Sequence, residues 1–199
     1  MREMIKMIVV LTAIAIVSGG SLAFLEEVTR EPIAYQKLKF VKGPAVLSVL
    51  SGYENDPIKD YKKDVELEKR DGTVIRKSIF PAKKDGRCFA VAFEVTSQGF
   101  GGPIGIMMGV DLKTGRLTGE RVISHSETPG LGARSVEPAF YEQFAGLRPE
   151  DVGLSSKGGK INAISGASVT SQGVVDAIKK GLDLFSRTKD RIKGACDSR

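Results

Sequence analysis

The chain has 199 residues and a net charge of +6, from 30 Lys and Arg against 24 Asp and Glu. Its length suits one domain with a short additional element, and an apolar fraction of 41% excludes a disordered chain. Two Cys and one His exclude a disulfide-rich scaffold, a Cys-only zinc or iron–sulfur site and a His-rich metal centre. No basic cluster interleaved with aromatic residues is present, so we expect no nucleic-acid partner.

The chain begins with a stretch that is apolar enough to cross a membrane. Met7–Leu25 contains no charged residue over 19 positions, which corresponds to about 28 Å of helix. The basic residues before it are Arg2 and Lys6. The acidic residues after it are Glu26, Glu27 and Glu31, with Arg30 the only nearby basic residue. The positive-inside rule therefore predicts a single-pass protein of the inner membrane, with residues 1–6 in the cytoplasm, a transmembrane helix over 7–25 and a periplasmic domain over 26–199.

A secretory signal peptide is the alternative interpretation of the same stretch. Residues 7–17 have the length of its apolar region, and Ser21-Leu22-Ala23 fits a cleavage site between small residues. Both interpretations export the domain that follows. In an oxidising compartment Cys88 and Cys196 can pair, although a free thiol or a bond to another chain fits the sequence equally well.

The central part of the exported domain has the pattern of antiparallel strands. Residues 64–70 and 73–80 surround an Asp71-Gly72 turn, which indicates a hairpin. Further strands are predicted over 87–96, 104–112 and 117–124, and the last two are joined by a turn at 113–115.

Helical segments are predicted on both sides of this sheet. Residues 31–41 have the character of a linker or a first extended segment, 44–50 of a short helix, and 135–147 of a longer helix. A short strand is expected over 160–164. The clearest helix begins at Thr170–Ser171, and its apolar stripe contains Val174, Ile178, Leu182 and Phe185. These elements predict an α+β fold with a mainly antiparallel sheet and flanking helices.

Two glycine-rich segments contain polar residues of potential function. The first glycine-rich segment, 98–103, is Gln-Gly-Phe-Gly-Gly-Pro and fits either a long hairpin loop or a close approach of backbone to a ligand. The second, 124–132, contains the only His, His125, beside Glu127. Two such ligands are too few for a metal site, and a Ser–His hydrolase would need a G-x-S-x-G motif that the chain lacks.

The third glycine-rich segment, 165–171, directly precedes the last predicted helix. Its sequence is Ser-Gly-Ala-Ser-Val-Thr-Ser. Unpaired N–H groups at a helix start attract anions such as phosphate, and the helix dipole favours them. Simple N-capping of the helix by Thr170 or Ser171 is the other interpretation, and the segment alone does not separate the two.

Together the three segments resemble a known family. Residues 165–170 are similar to the S-G-A-[ST]-x-T flavinylation motif of exported FMN-binding domains. Residues 124–132 resemble the H-x-E-T-P-G-L-G segment of the G subunit of Rnf electron-transport complexes, and 99–103 resemble its G-[YF]-G-G-P loop. The C subunit of the sodium-pumping NADH:quinone reductase is similar, although usually longer.

The resemblance implies that FMN is attached covalently, through its phosphate, to the hydroxyl of Thr170. A separate flavin transferase would form this phosphoester with FAD as donor. Leu131 would shield the flavin ring, Glu127 and Thr128 would hydrogen-bond to the ring or ribityl chain, and His125 would orient the loop. The other expected contacts are Ser165, Gly166, Ala167, Ser168 and Gly130.

The resemblance also implies a function as a one-electron carrier that is not catalytic alone. The chain would pass electrons within an Rnf-type complex that links ferredoxin and NAD to ion movement, with the other membrane and peripheral subunits as partners. The ion path would lie in those subunits, because residues 7–25 contain no carboxylate. The alternatives are a component like the quinone reductase C subunit, an exported module that binds a free phosphorylated ligand, and an assembly subunit without cofactor.

Overall fold

A long apolar helix, α1 (Arg2–Lys37), forms most of the first of two units in this computed structural model, which describes residues 1–70 and 73–197. Its stretch Arg2–Arg30 has a mean hydropathy of 2.4 and is long enough to span a membrane. The expectation of a linker or extended segment over 31–41 is wrong, because α1 continues to Lys37 and a π-helical turn follows over Leu38–Lys42. Residues 33–42 contain no glycine or proline, and an established helix propagates readily through such a sequence.

The second unit, Lys42–Arg199, is built on an antiparallel sheet in which each described strand pairs with the next one along the chain. The strands are β1 (Lys62–Arg70), β2 (Thr73–Lys84), β3 (Arg87–Gln98), β4 (Pro103–Asp111) and β5 (Leu117–Ser124). The predicted antiparallel sheet is therefore confirmed, and its strands extend one to four residues beyond several expected ends. The predicted Asp71-Gly72 turn lies outside the described residues.

Two helices pack on opposite faces of the sheet. α2 (Gly43–Val49) lies close to Gly109 and Gly119, and the Thr118 hydroxyl donates a hydrogen bond to the Val49 carbonyl. The neighbouring residue Met108 faces the other way, towards the helix α4 (Ser168–Asp197). Successive residues of a strand point to opposite faces, which places the two helices on different sides. The helix predicted over 44–50 is thus confirmed.

α4 supplies most of the helical side of the core. All four residues of its predicted apolar stripe are buried: Val174, Ile178, Leu182 and Phe185. A Cβ on Gly181 would collide with Met108, so glycine there allows the helix to approach the sheet closely. The helix begins at Ser168, two residues before the predicted start, which places Thr170 inside its first turn.

The chain between β5 and α4 is made of short turns instead of the single helix expected over 135–147. The pieces are 3₁₀ turns at Gly132–Val136, Glu142–Phe144, Pro149–Asp151 and Ser155–Lys157, with α3 at Pro138–Tyr141. Pro138 divides the predicted helix because a residue before proline avoids helical backbone, and Glu137 is extended with φ −80° and ψ 145°. The strand expected over 160–164 is reduced to one parallel bridge between Leu154 and Ile161.

A disulfide joins the end of α4 to the start of β3. It links Cys88 to Cys196, whose Cα atoms lie 6.1 Å apart and which are 108 positions apart in sequence. Cys196 is fully buried. The sequence left this pairing open, and the structure resolves it in favour of an intramolecular bond.

One carboxyl lies in the interior without a partner. Glu120 on β5 pairs with Met108 in the sheet register and is fully buried. Neither of its oxygens has a hydrogen-bond partner among the described residues. Burial raises the pKa of Glu120 to about 8, against a smaller lowering effect of Arg121. At neutral pH the side chain is therefore held as a neutral acid.

The Glu120 carboxyl predicts a pH-dependent stability. The folded chain keeps this proton up to a pKa of about 8, whereas the unfolded chain releases it near 4.5. Between these values the free energy of unfolding falls as pH rises, by up to roughly 1.4 kcal/mol per pH unit. We expect Glu120→Gln to flatten this dependence in urea titrations and to be more stable than the wild type at pH 8. Exposed Glu142→Gln is the control, and an unchanged slope in Glu120→Gln would contradict the assignment.

The disulfide predicts a second stability effect. Removing a bond that closes so long a loop frees the unfolded chain, so Cys88→Ser is expected to lower the free energy of unfolding by about 2–5 kcal/mol. Denaturant midpoints measure the change. Reductant should bring the wild type to the same midpoint and leave Cys88→Ser unaffected, and a wild type that is insensitive to reductant would refute a stabilising bond.

Candidate functional site

The three glycine-rich segments meet at the amino-terminal end of α4. The first segment connects β3 to β4 at one end of the strands, where Gln98 pairs with Pro103. β5 runs back to the same end, where Ser124 pairs with Gly105, so the second segment starts beside the first. The third segment leads into α4 at this end of the sheet. Together they enclose a cavity of about 380 Å³, lined by Phe100, Glu127, Thr128, Leu131, Gly132, Gly166, Ala167, Ser168, Val169 and Thr170.

A buried hydrogen bond crosses the base of this cavity. The Thr170 hydroxyl donates to Oε2 of Glu127, 43 positions earlier in the chain. Only 1% of Thr170 and 6% of Glu127 is exposed. Leaving either group unpaired in the interior would cost about 1–3 kcal/mol. The pair therefore fixes the first turn of α4 against the second segment.

The Glu127 carboxylate is held from its other side as well. The backbone N–H of Gly101 donates to Oε1 at 2.9 Å. The backbone N–H of Glu127 donates to Nδ1 of His125 at 3.2 Å, so the histidine orients the loop that carries the glutamate. No cluster of three metal-ligating side chains is present among residues 1–70 and 73–197. One carboxylate thus joins all three segments, since it contacts the first and third and belongs to the second.

Close packing around the pair depends on Gly132. A Cβ at this position would collide with Glu127 Oε2 and with Thr170 Oγ1. Gly101 is equally tight, because a Cβ there would overlap the carbonyl of Ser126. Glycine is therefore required at these two positions because the backbone packs too closely against neighbouring atoms to leave room for a side chain.

The first turn of α4 presents unpaired donors beside the threonine. The N–H groups of Ser168, Val169 and Thr170 donate to no atom in the described part of the chain. The alternative interpretation, N-capping by Thr170 or Ser171, is not seen. Thr170 bonds to Glu127, while Ser171 accepts from the Ile164 N–H at 2.9 Å and donates to the Ala167 carbonyl at 3.0 Å. Ser171 thus stabilises the start of the helix through its side chain, while the N–H groups of residues 168–170 remain available to a ligand.

Apolar side chains surround the mouth of the cavity. Phe100 is 72% exposed, Val169 56% and Leu131 45%. Each comes from a different glycine-rich segment, and the Leu131 side chain also lies next to Gly166, where a Cβ would come within 3.1 Å of it. Large apolar groups left open to solvent around a cavity mark a ligand or partner site.

Most of the predicted site residues come together here. The predicted contacts that line the cavity are Glu127, Thr128, Leu131, Gly166, Ala167, Ser168 and Thr170. Ser165 lies on a neighbouring groove with Asn162, and Gly130 is exposed and lines no part of the cavity. Sequence reasoning did not assign Phe100, Gly132 and Val169, although all three lie within the glycine-rich segments it singled out.

Comparison with known proteins identifies the family. The FMN-binding domain family matches residues 99–183, a range that includes every residue lining the cavity. The G subunit of the ion-translocating oxidoreductase complex of Cereibacter sphaeroides is 34% identical over 186 residues, which cover 89% of this chain and 82% of that protein. This chain belongs to the family of these G subunits. The same subunit from Pseudomonas aeruginosa is 31% identical over 96% of this chain and 92% of its own length, and that from Methanosarcina acetivorans is 29% identical over 93% and 96%.

Solved structures agree on the fold of this G-subunit family member. NqrC of Shewanella oneidensis aligns with a TM-score of 0.61 at 17% identity and covers 80% of this chain and 99% of that one. The C subunit of the Na⁺-translocating NADH-quinone reductase from Parabacteroides distasonis aligns with a TM-score of 0.55 at 20% identity, over 78% and 95%. These likenesses confirm the α+β architecture expected from the sequence.

The tight packing at Gly132 predicts a large effect of a single methyl group. Gly132→Ala should force Glu127 and Thr170 apart and lower the free energy of unfolding by about 1–3 kcal/mol, measured by chemical denaturation. Gly194→Ala on α4 is the control, because its Cβ meets nothing within 4 Å and alanine favours helix by about 1 kcal/mol. Equal stability of Gly132→Ala and the wild type would refute the close packing.

Proposed function

We propose that the chain is the FMN-carrying G subunit of an ion-translocating electron-transport complex, with FMN attached by a phosphoester to the Thr170 hydroxyl. The proposal rests on one observation: this hydroxyl lies at the base of the cavity, in a helix turn whose N–H groups are unpaired. Family membership supports FMN as the ligand, since the matching region is an FMN-binding domain.

The polar end of the cavity fits a phosphate. A phosphodiester carries one negative charge, and the free N–H groups of Ser168 and Val169 can donate to it. The dipole at the start of α4 would stabilise that charge by about 0.3–1 kcal/mol. Covalent attachment prevents loss of the group to the cell exterior.

The apolar rim fits a planar ring. Phe100, Leu131 and Val169 line the cavity and offer exposed apolar surface, and we propose that they hold the isoalloxazine. The flavin supplies the one-electron chemistry when bound, while the residues around it bind, orient and partly exclude water. The remaining predicted contacts, among them Thr128 and Ser168, would hydrogen-bond to its polar edges.

The proposed topology places the domain outside the cytoplasm. Arg2 and Lys6 precede the apolar part of α1, and Arg30 is the only basic residue among positions 26–35 after it, which favours a cytoplasmic amino terminus. The Cys88–Cys196 disulfide supports the same side, because such bonds persist in oxidising compartments. A flavin transferase in that compartment would attach the cofactor.

We propose a relay role within the complex. The relatives are named as subunits of an ion-translocating oxidoreductase complex, and the chain would receive an electron from one partner subunit and pass it to another. Residues 7–25 contain no carboxylate, so ion movement would belong to other subunits. The likeness to the quinone reductase subunits is one of fold, so a role as the G subunit is preferred to that of a C-like component.

Replacing the threonine tests the attachment. Wild-type protein, purified from its native membrane or co-expressed with a flavin transferase, should carry the mass of FMN less one water on the peptide that contains Thr170. Thr170→Ala should lose both this mass and the yellow colour, and Thr170→Ser should retain them. Intact-protein and peptide mass spectrometry measure the outcome, with Thr188→Ala on the same helix as the control.

Other results would favour the alternative functions. Yellow protein that loses its flavin on denaturation would indicate reversible binding of a phosphorylated ligand. Native protein that is colourless and unmodified, in a complex that transfers electrons normally after Thr170→Ala, would indicate an assembly subunit. Either result would reject the covalent carrier.

A further inference from the structure

We propose that Glu127 is a catalytic base in the attachment reaction, so that this chain supplies part of the chemistry of its own modification. The inference rests on the proposed function, because it concerns how the Thr170 hydroxyl becomes a phosphoester. It assigns to the glutamate a role in proton transfer during maturation, in addition to any contact with the bound flavin.

The geometry carries this assignment. A hydroxyl is a weak nucleophile until a base takes its proton, and a base must lie within hydrogen-bond reach of the hydroxyl that it activates. Glu127 Oε2 meets this condition, since it accepts the hydrogen bond from Thr170 Oγ1. No other acceptor for that hydroxyl is found in the described part of the chain.

The surroundings hold the carboxylate in this position. The Gly101 N–H occupies Oε1 and leaves Oε2 directed at the hydroxyl. The His125 ring fixes the backbone of Glu127, and Gly132 keeps the contact free of intervening side chains. A purely structural partner for a buried threonine does not need this arrangement, because a backbone carbonyl serves equally well, as it does for Thr188 on the same helix.

The step balances without any redox change. Thr170 Oγ1 forms a bond to the phosphorus of the FMN half of a flavin adenine dinucleotide, and the bond from that phosphorus to the bridging pyrophosphate oxygen breaks. AMP leaves with the electron pair of the broken bond, and the hydroxyl proton passes to Glu127 Oε2.

The test follows the rate of attachment to the full-length chain in detergent. The protein is mixed with a purified flavin transferase, Mg²⁺ and flavin adenine dinucleotide, and intact mass is recorded over time. Glu127→Gln keeps the size and hydrogen-bonding capacity of the side chain but is a very poor base, so we expect attachment to slow by about 100-fold or more. Glu127→Asp should fall between the two, and Glu137→Gln, an exposed carboxylate outside the cavity, should match the wild type.

Chemical rescue separates proton transfer from positioning. We expect Glu127→Ala to be modified slowly and to recover at least tenfold as formate is added, because a small carboxylate can enter the space left by the side chain. Glu137→Ala should not respond to formate. Circular dichroism confirms that each variant is folded. Where Glu127→Ala is not, Glu127→Gln decides, because it keeps the size of the side chain and removes its basicity: a rate about 100-fold slower supports the base and a wild-type rate overturns it.

The outcomes distinguish this inference from the proposed function. Wild-type protein that is never modified would reject the covalent carrier itself. Wild-type and Glu127→Gln proteins modified at equal rates would leave the carrier intact and overturn the catalytic role of Glu127. Slow modification of folded Glu127→Ala without rescue by formate would also overturn it, because the carboxylate would then act only by positioning.

Discussion

The hydrogen bond between Thr170 and Glu127 is the interaction on which the site depends. It joins the first turn of α4 to the loop after β5, and the Gly101 N–H extends the connection to the loop between β3 and β4. Both side chains are buried, so neither can exchange its partner for water without loss of stability. Under the proposals made above, the same bond that closes the base of the cavity would also hold the attacking hydroxyl beside the acceptor for its proton.

The order of the strands explains why three distant segments share one cavity. In an antiparallel sheet whose strands pair in the order of the sequence, every second connection lies at the same end of the strands. The loop after β3 and the end of β5 therefore meet, and α4 crosses the sheet so that its amino terminus reaches them. The sheet acts as a rigid support, and the residues that line the cavity lie on loops and at a helix end.

Much of this arrangement was predictable from the sequence because it depends on local patterns. Alternating and apolar runs gave the strands, and the spacing of Val174, Ile178 and Leu182 gave the core face of α4. Three motifs in a fixed order, taken with their family resemblance, indicated Thr170 and the loop of Glu127. These signals lie within single segments, and the resemblance adds their common ligand.

The features that were missed arise from tertiary context. Pro138 breaks a helix whose apolar spacing looks continuous, whereas α1 continues past Pro32, a residue that predicts a break. Glu120 is a charged residue type within a strand, and such a residue is normally exposed. Its side chain is nevertheless buried in the core, and the sequence of β5 does not indicate this burial. The hydrogen bond between Thr170 and Glu127 spans 43 positions, so the sequence could suggest both residues but not their contact.

The position of Thr170 in the last element of the fold has a consequence for biogenesis. The five described strands can pair as they emerge, each with the one before it, but the acceptor hydroxyl arrives only with the final helix. A chain that stalls during translocation, or that is truncated before α4, has no complete cavity to present to a modifying enzyme. Under the proposed function, only chains that are complete and folded would then receive the cofactor. Incomplete chains would lack it and could not take part in electron transfer.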